Sequence, residues 1–191
     1  FIELACEVHP PETVRGRLLV FFQFQGDDGN IVDGYIPKEK ANVSYDYRKS
    51  AAAPEYLAHK NTVETDQESS LVLAVADYVR ITGDRSILDE VVGGVPVAER
   101  LGRALQYLRE HRFSEKYGLI WGATTADWGD VQPEHAWGVA LDESSHLAID
   151  IYDNALFLLA LDAYLEVVPL APEKAKAWRE FREALAANAR K

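Results

Sequence analysis

Helical segments of two kinds alternate along this chain, and the alternation limits the possible folds more than any other feature. Segments that are apolar on nearly every side alternate with segments that are apolar on one side and charged on the other. A helix that is apolar all round needs burial on every side, whereas an amphipathic helix covers a core with one face. The sequence therefore predicts stacked αα-hairpins with inner and outer helices.

In the first half of the chain, the pattern predicts one amphipathic helix and one buried helix. The amphipathic helix starts at Pro10-Pro11-Glu12, and its apolar stripe is formed by Val14, Leu18, Phe21 and Phe22. The buried helix starts with Thr65-Asp-Gln-Glu68, which has the form of a capping box, and ends at Gly83. Residues 31–61 lie between them, show no sustained period and predict a long loop.

In the second half, a short helix is predicted over residues 87–92, followed by an amphipathic helix that opens at Pro96. A long, largely apolar helix is predicted over 147–165, and a last amphipathic helix over 173–189. Residues 119–121 are the one stretch that could form a short edge strand. The predicted fold class is therefore all-α, in one domain or part of one, with no internal boundary across residues 1–191.

The charge of the chain bears on its partners. Lys and Arg number 20 against 31 Asp and Glu, and a net charge of −11 would repel a phosphate backbone. No apolar run is long enough to span a bilayer, and the N-terminus lacks the layout of a signal peptide. We therefore expect a soluble, cytoplasmic protein that binds neither nucleic acid nor membrane.

Other residue counts predict neither a metal nor a cofactor. The single Cys6 cannot form an internal disulfide, and the five histidines show no metal-ligand spacing. The chain contains no methionine, so Phe1 is not a translation start. We expect a piece of a longer or processed chain.

The stretch Gly118-Leu-Ile-Trp-Gly-Ala-Thr-Thr-Ala-Asp-Trp-Gly-Asp130 is the main candidate site. It places the carboxylates of Asp127 and Asp130 beside the indoles of Trp121 and Trp128. Flat apolar faces next to charge suit a sugar ligand. The alternative is that Asp and Gly form turns and the tryptophans fill a core.

Four further residues are candidate substrate contacts. Asp66 and Glu68 lie at the start of the buried helix and could bind substrate hydroxyls, although Glu68 fits a capping role better. Tyr45 and Arg48 lie in the predicted long loop and could line a ligand site. A surface loop whose tyrosines pack against the protein is at least as good an interpretation.

The order of motifs resembles that of six-hairpin glycosidases. The closest likeness is to the amylo-α-1,6-glucosidase domain of glycogen debranching enzymes and its bacterial relatives. The motifs are Asp33-Gly-Tyr-Ile-Pro37, Glu64-Thr-Asp-Gln-Glu-Ser-Ser-Leu71, Asp77-Tyr-Val-Arg-Ile-Thr-Gly-Asp84, Tyr117-Gly-Leu-Ile-Trp121, Asp127-Trp-Gly-Asp130 and Asp153-Asn-Ala-Leu156. They are collinear with the family's motifs and span roughly residues 34–161.

The resemblance implies an (α/α)₆ toroid, of which this chain would hold about three of six hairpins. It also implies inverting hydrolysis, in which an acid and a base stand roughly 6.5 to 9.5 Å apart. The Trp-x-Asp match assigns the general acid to Asp130, with Trp128 beside it and Asp127 binding sugar hydroxyls or orienting its neighbour. The usual base lies beyond the Asn-Ala-Leu helix, so we expect it outside this chain.

Two differences from the family leave the substrate open. Trp-Gly-Asp replaces the family's Trp-Met-Asp, and one extra residue after Thr65 means that the substrate contact could be Asp66 or Glu68. The function expected from the resemblance is hydrolysis of an oligo- or polysaccharide, an α-glucoside in the closest relatives. The alternatives are a glycoside phosphorylase of the same fold and a non-catalytic module that binds carbohydrate or protein.

Overall fold

The computed structural model describes residues 2–41, 46–123 and 140–191. Most of these residues are helical, so the predicted all-α class is confirmed as a mostly helical fold, but the described residues also form eight short strands. The described α-helices are α1 (Ile2–Val8), α2 (Pro11–Gln23), α3 (Gln67–Thr82), α4 (Val97–His111), α5 (Ile151–Val167) and α6 (Pro172–Asn188).

The helices form two layers. α1, α3 and α5 lie side by side, while α2 and α4 pack against α3, and α6 packs against α5. α3 is the central element because it contacts α1, α2, α4 and α5. The shared core is made of fully buried side chains, among them Val72, Val75, Leu101, Leu105, Phe157 and Leu161. The layers follow the order in which buried and amphipathic segments alternate in the sequence.

Several helix ends have the local chemistry that the sequence predicts. α2 begins at Pro11, where a missing amide hydrogen costs nothing. α3 ends at Gly83, whose φ of 72° lies in the left-handed region and whose amide donates to the carbonyl of Val79. The next residue, Asp84, accepts from Tyr78 Oη and Arg15 Nε, so this turn ties α3 to α2.

The predicted capping box at the start of α3 is wrong. The residue before the helix is Asp66, in a helical conformation and without a side-chain cap. The Thr65 hydroxyl donates to the carbonyl of Trp121 at 3.1 Å, and Glu68 Oε1 accepts from the Ile31 amide at 2.7 Å. The side chains of Thr65 and Glu68 therefore bind distant segments of the chain instead of capping α3.

The predicted long loop over 31–61 contains a hairpin. β1 (Gly34–Pro37) pairs antiparallel with β2 (Tyr56–His59), and the hairpin packs a small second core of Val20, Phe24, Val32, Ala53 and Ala58. In strands of only four residues with many polar neighbours, the alternation of apolar and polar residues is too short to be recognised in the sequence.

Three other short strand pairs shape the connections. β3 (Val91–Val92) pairs with β4 (Val95–Pro96), β5 (Phe113–Ser114) with β6 (Leu119–Ile120), and β7 (Gly122–Ala123) with β8 (Leu147–Ala148). The edge strand expected near Leu119 is confirmed. The helix expected over 87–92 is instead a 3₁₀ turn (Arg85–Asp89) followed by β3, and α5 begins at Ile151 because β8 takes up residues 147–148.

One side of α5 is apolar but not covered by the described residues. Ile151 is 86% exposed and Leu159 is 57% exposed, although the helix composition predicts burial on every side. At the other edge of the inner layer, Leu4 and Val8 of α1 are also exposed. None of the helices in the described ranges combines the length and the apolarity that crossing a membrane requires.

Candidate functional site

The helices α3 and α5 begin at the same end of the inner layer, and four carboxylates gather there. We call Glu64, Asp66, Asp150 and Asp153 the acidic cluster. Asp150 caps α5, since its Oδ1 accepts from the amide of Asp153 at 2.8 Å. Tyr152 Oη donates to Asp66 Oδ2 at 3.3 Å and so links the starts of the two helices. Residues 84 or more positions apart in sequence therefore share one small region.

Asp153 is the most strongly perturbed member of the cluster. Its side chain lies at the start of a buried helix, and only 8% of the residue is exposed. Burial raises the pKa of Asp153 to about 8, and the carboxylates of Asp150, Asp66 and Glu64 act in the same direction. Asp153 is therefore a carboxylic acid that keeps its proton at neutral pH.

Asp66 is perturbed in the same direction. Burial raises the pKa of Asp66, while the hydrogen bond from Tyr152 partly opposes the rise. Desolvated carboxyl groups that face one another are the usual composition of acid and base sites, because like charges keep one of them protonated.

Backbone packing brings β7 directly against the cluster. A Cβ added at Gly122 would lie 3.0 Å from Asp153 Oδ2 and 3.3 Å from Thr65 Oγ1. Only a residue without a side chain allows the strand to approach this closely without displacing a neighbour. Gly122 therefore sets the distance between the candidate loop and the buried acid.

Trp121, predicted as a substrate contact, is fixed from three directions. Its amide donates to the carbonyl of Arg112, and its carbonyl accepts from Thr65. The guanidinium of Arg112 lies 4.7 Å from the centre of the Trp121 ring. The adjacent Ile120 is bonded through both backbone groups to the side-chain amide of Asn154, at 2.9 Å each.

The bonds from Asn154 explain why two distant motifs belong together. Asn154 lies in the first turn of α5, is almost fully buried and mimics a neighbouring strand for Ile120. The Asn-Ala-Leu motif therefore holds the Gly-Leu-Ile-Trp motif against the start of α5.

Two described residues, Ala123 and Leu141, are bonded to the chain just before the acidic cluster. The Ala123 amide donates to the carbonyl of Val63 at 3.2 Å, and the Leu141 amide donates to Thr62 Oγ1 at 2.7 Å. Residues 62 and 63 directly precede Glu64. The predicted acid Asp130, together with Asp127 and Trp128, lies outside the described residues. Tyr45 also lies outside them.

A pocket of about 310 Å³ lies beside Asp66. Asp33, Glu64 and Asp66 line it together with apolar side chains that include Leu18, Phe21, Ile31 and Leu71. Asp33 is itself held by His59, at 3.0 Å, and by the amide of Asn61. Carboxylates above an apolar floor could bind the hydroxyls and the ring face of a small polar ligand.

The described contacts of Glu68 and Arg48 are made within the protein. Glu68 is 1% exposed, and its Oε1 accepts from the ammonium of Lys60 at 3.1 Å as well as from Ile31. Arg48 Nη1 donates to the carbonyl of Phe24 and to Asn30 Oδ1. Their roles as substrate contacts stay predictions, and between Asp66 and Glu68 the geometry favours Asp66.

The sequence pattern also contained a signal that points to Asp150 and Asp153. Two Asp residues three positions apart in front of an apolar run are an N-terminal helix signature. Extending the predicted helix back to Leu147 put both residues inside it and concealed their role. Among the described residues, no group of three or more His, Cys, Asp or Glu side chains is arranged to hold a metal ion.

Comparison with models of known protein families finds no match to this chain, and comparison with curated proteins finds no significant match either.

Proposed function

We propose that this chain forms part of the catalytic domain of an inverting glycoside hydrolase that acts on an oligo- or polysaccharide, most closely an α-glucoside. The observation that carries the proposal is the acidic cluster. Asp153, a buried carboxyl group with a raised pKa, lies beside other carboxylates and against Gly122, which directly follows Trp121. The described residues Ala123 and Leu141 are bonded to Val63 and Thr62, just before Glu64 of the cluster. Glycoside hydrolysis needs one protonated and one ionised carboxyl group at a sugar-binding surface.

The two open edges of the inner layer support the six-hairpin fold as part of the proposal. Exposed apolar side chains on α1 and α5 mark both edges of the three-helix layer. A large exposed apolar face usually indicates a missing partner. Further hairpins added at these edges would cover them and close the layer into an (α/α)₆ toroid.

In the proposed mechanism, Asp130 is the general acid that protonates the glycosidic oxygen. Trp128 and Trp121 stack on the sugar, Asp127 binds hydroxyls or orients Asp130, and Asp66 contacts the substrate. A base outside this chain activates the water. The other carboxylates of the acidic cluster keep the local field negative, which favours the positive charge that develops on the sugar in the transition state.

Asp153 is the alternative acid, because it holds a proton at neutral pH. Two variants of the full-length protein separate the assignments. Asp130→Asn should lower kcat by at least roughly 100-fold while sugar binding is kept. Normal turnover by Asp130→Asn together with loss of turnover by Asp153→Asn would transfer the role to Asp153.

The reaction itself is tested by incubating the full-length protein with aryl glycosides and α-glucosyl disaccharides and following the product anomer by NMR. Inverting hydrolysis gives first the anomer opposite to that of the substrate. If none of these glycosides is cleaved although sugars bind, the non-catalytic binding module is the better description.

A phosphorylase is less well supported by the described residues. Phosphate would need cationic or hydroxyl donors at the site. Lys60, the described cation that acts on Asp66, is committed to Gln67 and Glu68. The groups surrounding Asp153 are carboxylates, which would repel the phosphate.

A further inference from the structure

A second groove, of about 530 Å³, lies between the β5–β6 hairpin and β8. Its walls include Tyr117, Leu119, Trp121, Leu147 and Ile149. Tyr117 is 53% exposed, so the groove has an accessible aromatic ring on one side and the indole of Trp121 on another. The volume falls in the range of pockets that hold small ligands.

A cation lies over each aromatic ring of the groove, and the buried Arg112 restrains Trp121. The guanidinium of Arg112 lies 4.7 Å from the centre of the Trp121 ring, and the ammonium of Lys116 lies 4.8 Å from the centre of the Tyr117 ring. Arg112 is buried and also donates to the carbonyl of Thr62 at 2.6 Å. A ring restrained before binding loses less freedom when a ligand stacks on it.

The groove adjoins the acidic cluster at Trp121, which lines the groove and directly precedes Gly122. The carbonyl of Trp121 accepts from Thr65, and the next residue, Gly122, lies against the carboxyl group of Asp153. A chain-like ligand with one unit at the cluster would therefore reach the groove with its next units.

The lining of the groove indicates a neutral ligand. Among the described residues, its walls are aromatic and aliphatic, with Ser114 as a small polar group and no charged side chain. Aromatic rings recognise the C–H faces of uncharged sugars. An anionic ligand would need a countercharge in the lining, and a cationic ligand would be repelled by the guanidinium and the ammonium that already lie over the two rings. The face next to it is a candidate site for cleavage of a sugar chain.

We infer that the groove between Tyr117 and Trp121 binds a sugar unit remote from the cleaved bond, so that the substrate is an oligosaccharide longer than a disaccharide. This inference rests on the proposed function. It adds Tyr117 as a residue that determines chain-length specificity.

The test is the affinity of the full-length protein for maltose and maltopentaose, measured by isothermal titration calorimetry in the Asp130→Asn background to prevent turnover. We expect maltopentaose to bind at least about tenfold more tightly. Tyr117→Ala should lower the ratio of the two affinities by roughly three- to tenfold. Tyr117→Phe should retain the ratio because the ring remains. Ile81→Ala, which removes an exposed apolar side chain on α3, is the control and should leave both affinities unchanged.

The outcomes separate this inference from the proposed function. Equal affinity for the two sugars, in a protein that hydrolyses glycosides, would overturn the groove assignment alone. Tyr117-dependent binding of maltopentaose by a protein that hydrolyses no glycoside would support the groove and contradict the hydrolase. Equal losses in Tyr117→Ala and Tyr117→Phe would show that the ring is not the contact, and absence of binding to either sugar would overturn both proposals.

Discussion

Two buried carboxyl groups, Glu68 and Asp153, have opposite surroundings. Glu68 lies in the first turn of α3, where a lysine ammonium and a backbone amide both bind its Oε1. Asp153 lies in the first turn of α5, where the strongest charges acting on it are other carboxylates. Removing one partner of a buried ion pair is strongly destabilising, whereas a buried acid among like charges is costly in itself and is typical of functional sites.

The contrast gives each region a role. The contacts of Glu68 fasten the segment after α2 to the start of α3, a task that any fold of this kind needs. No such task explains Asp153, whose pKa is raised first by burial and then by its acidic neighbours. Four variants, each altering the region of Glu68 or that of Asp153, are described in order from the largest expected effect to the smallest.

The Glu68→Ala variant should lose the most stability. It would leave the ammonium of Lys60, whose side chain is only 10% exposed, without a carboxylate and the Ile31 amide without an acceptor. We expect the free energy of unfolding, measured with a chemical denaturant, to fall by about 3 to 5 kcal/mol. The matched control is Glu99→Ala, whose exposed pair with Arg103 should be worth less than about 0.5 kcal/mol. If Glu68→Ala lowered the free energy of unfolding by less than about 1 kcal/mol, the structural role given to Glu68, in contrast to Asp153, would be wrong.

The Asp153→Asn variant should have the opposite effect. Below about pH 4 the carboxyl is protonated in both the folded and the unfolded chain, so it does not affect stability. Between about pH 4 and the folded pKa of about 8, only the unfolded chain releases the proton. Wild-type stability therefore falls as the pH rises, by up to roughly 1.4 kcal/mol per pH unit.

Asparagine cannot ionise, so this pH dependence should disappear in the variant. At pH 7 we expect the free energy of unfolding of Asp153→Asn to exceed that of the wild type by an amount on the order of 3 kcal/mol. The measurement is denaturant unfolding of both proteins at a series of pH values from 4 to 9. Asp162→Asn, at an exposed position of the same helix, is the control and should keep the wild-type slope. An unchanged slope in Asp153→Asn would mean that Asp153 is ionised at neutral pH.

The Gly122→Ala variant tests how closely β7 approaches the acid. The added methyl group would crowd Asp153 Oδ2 and Thr65 Oγ1, so we expect a loss of about 1 to 3 kcal/mol in thermal or denaturant unfolding. Gly16 in α2 meets nothing within 4 Å, and Gly16→Ala should stabilise by about 0.5 to 1 kcal/mol. If both substitutions changed the free energy of unfolding in the same direction, the result would contradict the close packing at Gly122.

The smallest effect is expected from Tyr152→Phe, which removes only the hydrogen bond to Asp66. Because that bond lowers the pKa of Asp66, its loss should raise the pKa further. The stability change should stay near about 0.5 kcal/mol, since Tyr152 is exposed. Site-resolved carboxyl NMR would report the shift, and a lower pKa in the variant would contradict the assignment.

The same contrast explains what the sequence could and could not predict. The helix start at Pro11 and the helix end at Gly83 were predictable because the chemistry of a helix end is local. The partners of Thr65 and Glu68 were not, because Trp121 and Ile31 lie many positions away and are brought near only by folding. A local rule therefore predicted a capping box where long-range contacts are made.

The candidate site was predictable in part for the same reason. Asp66 and Trp121 could be chosen by residue type, and the structure brings their segments together through Thr65. The role of Asp153 depends on Asp150, Asp66 and Glu64 surrounding it, and two of these are remote in sequence. Burial and neighbouring charge, which determine a pKa, cannot be deduced from a motif.

The central claim is that the acidic cluster, and not the region of Glu68, is where a sugar binds. It is tested most directly by titrating maltopentaose into the ¹³C-labelled, full-length Asp130→Asn protein and following the side-chain carboxyl signals by NMR. We predict saturable shifts for Asp66 and Asp153 and little change for Glu68. Shifts confined to Glu68, or no shift at Asp66 and Asp153 while the sugar binds, would contradict the claim.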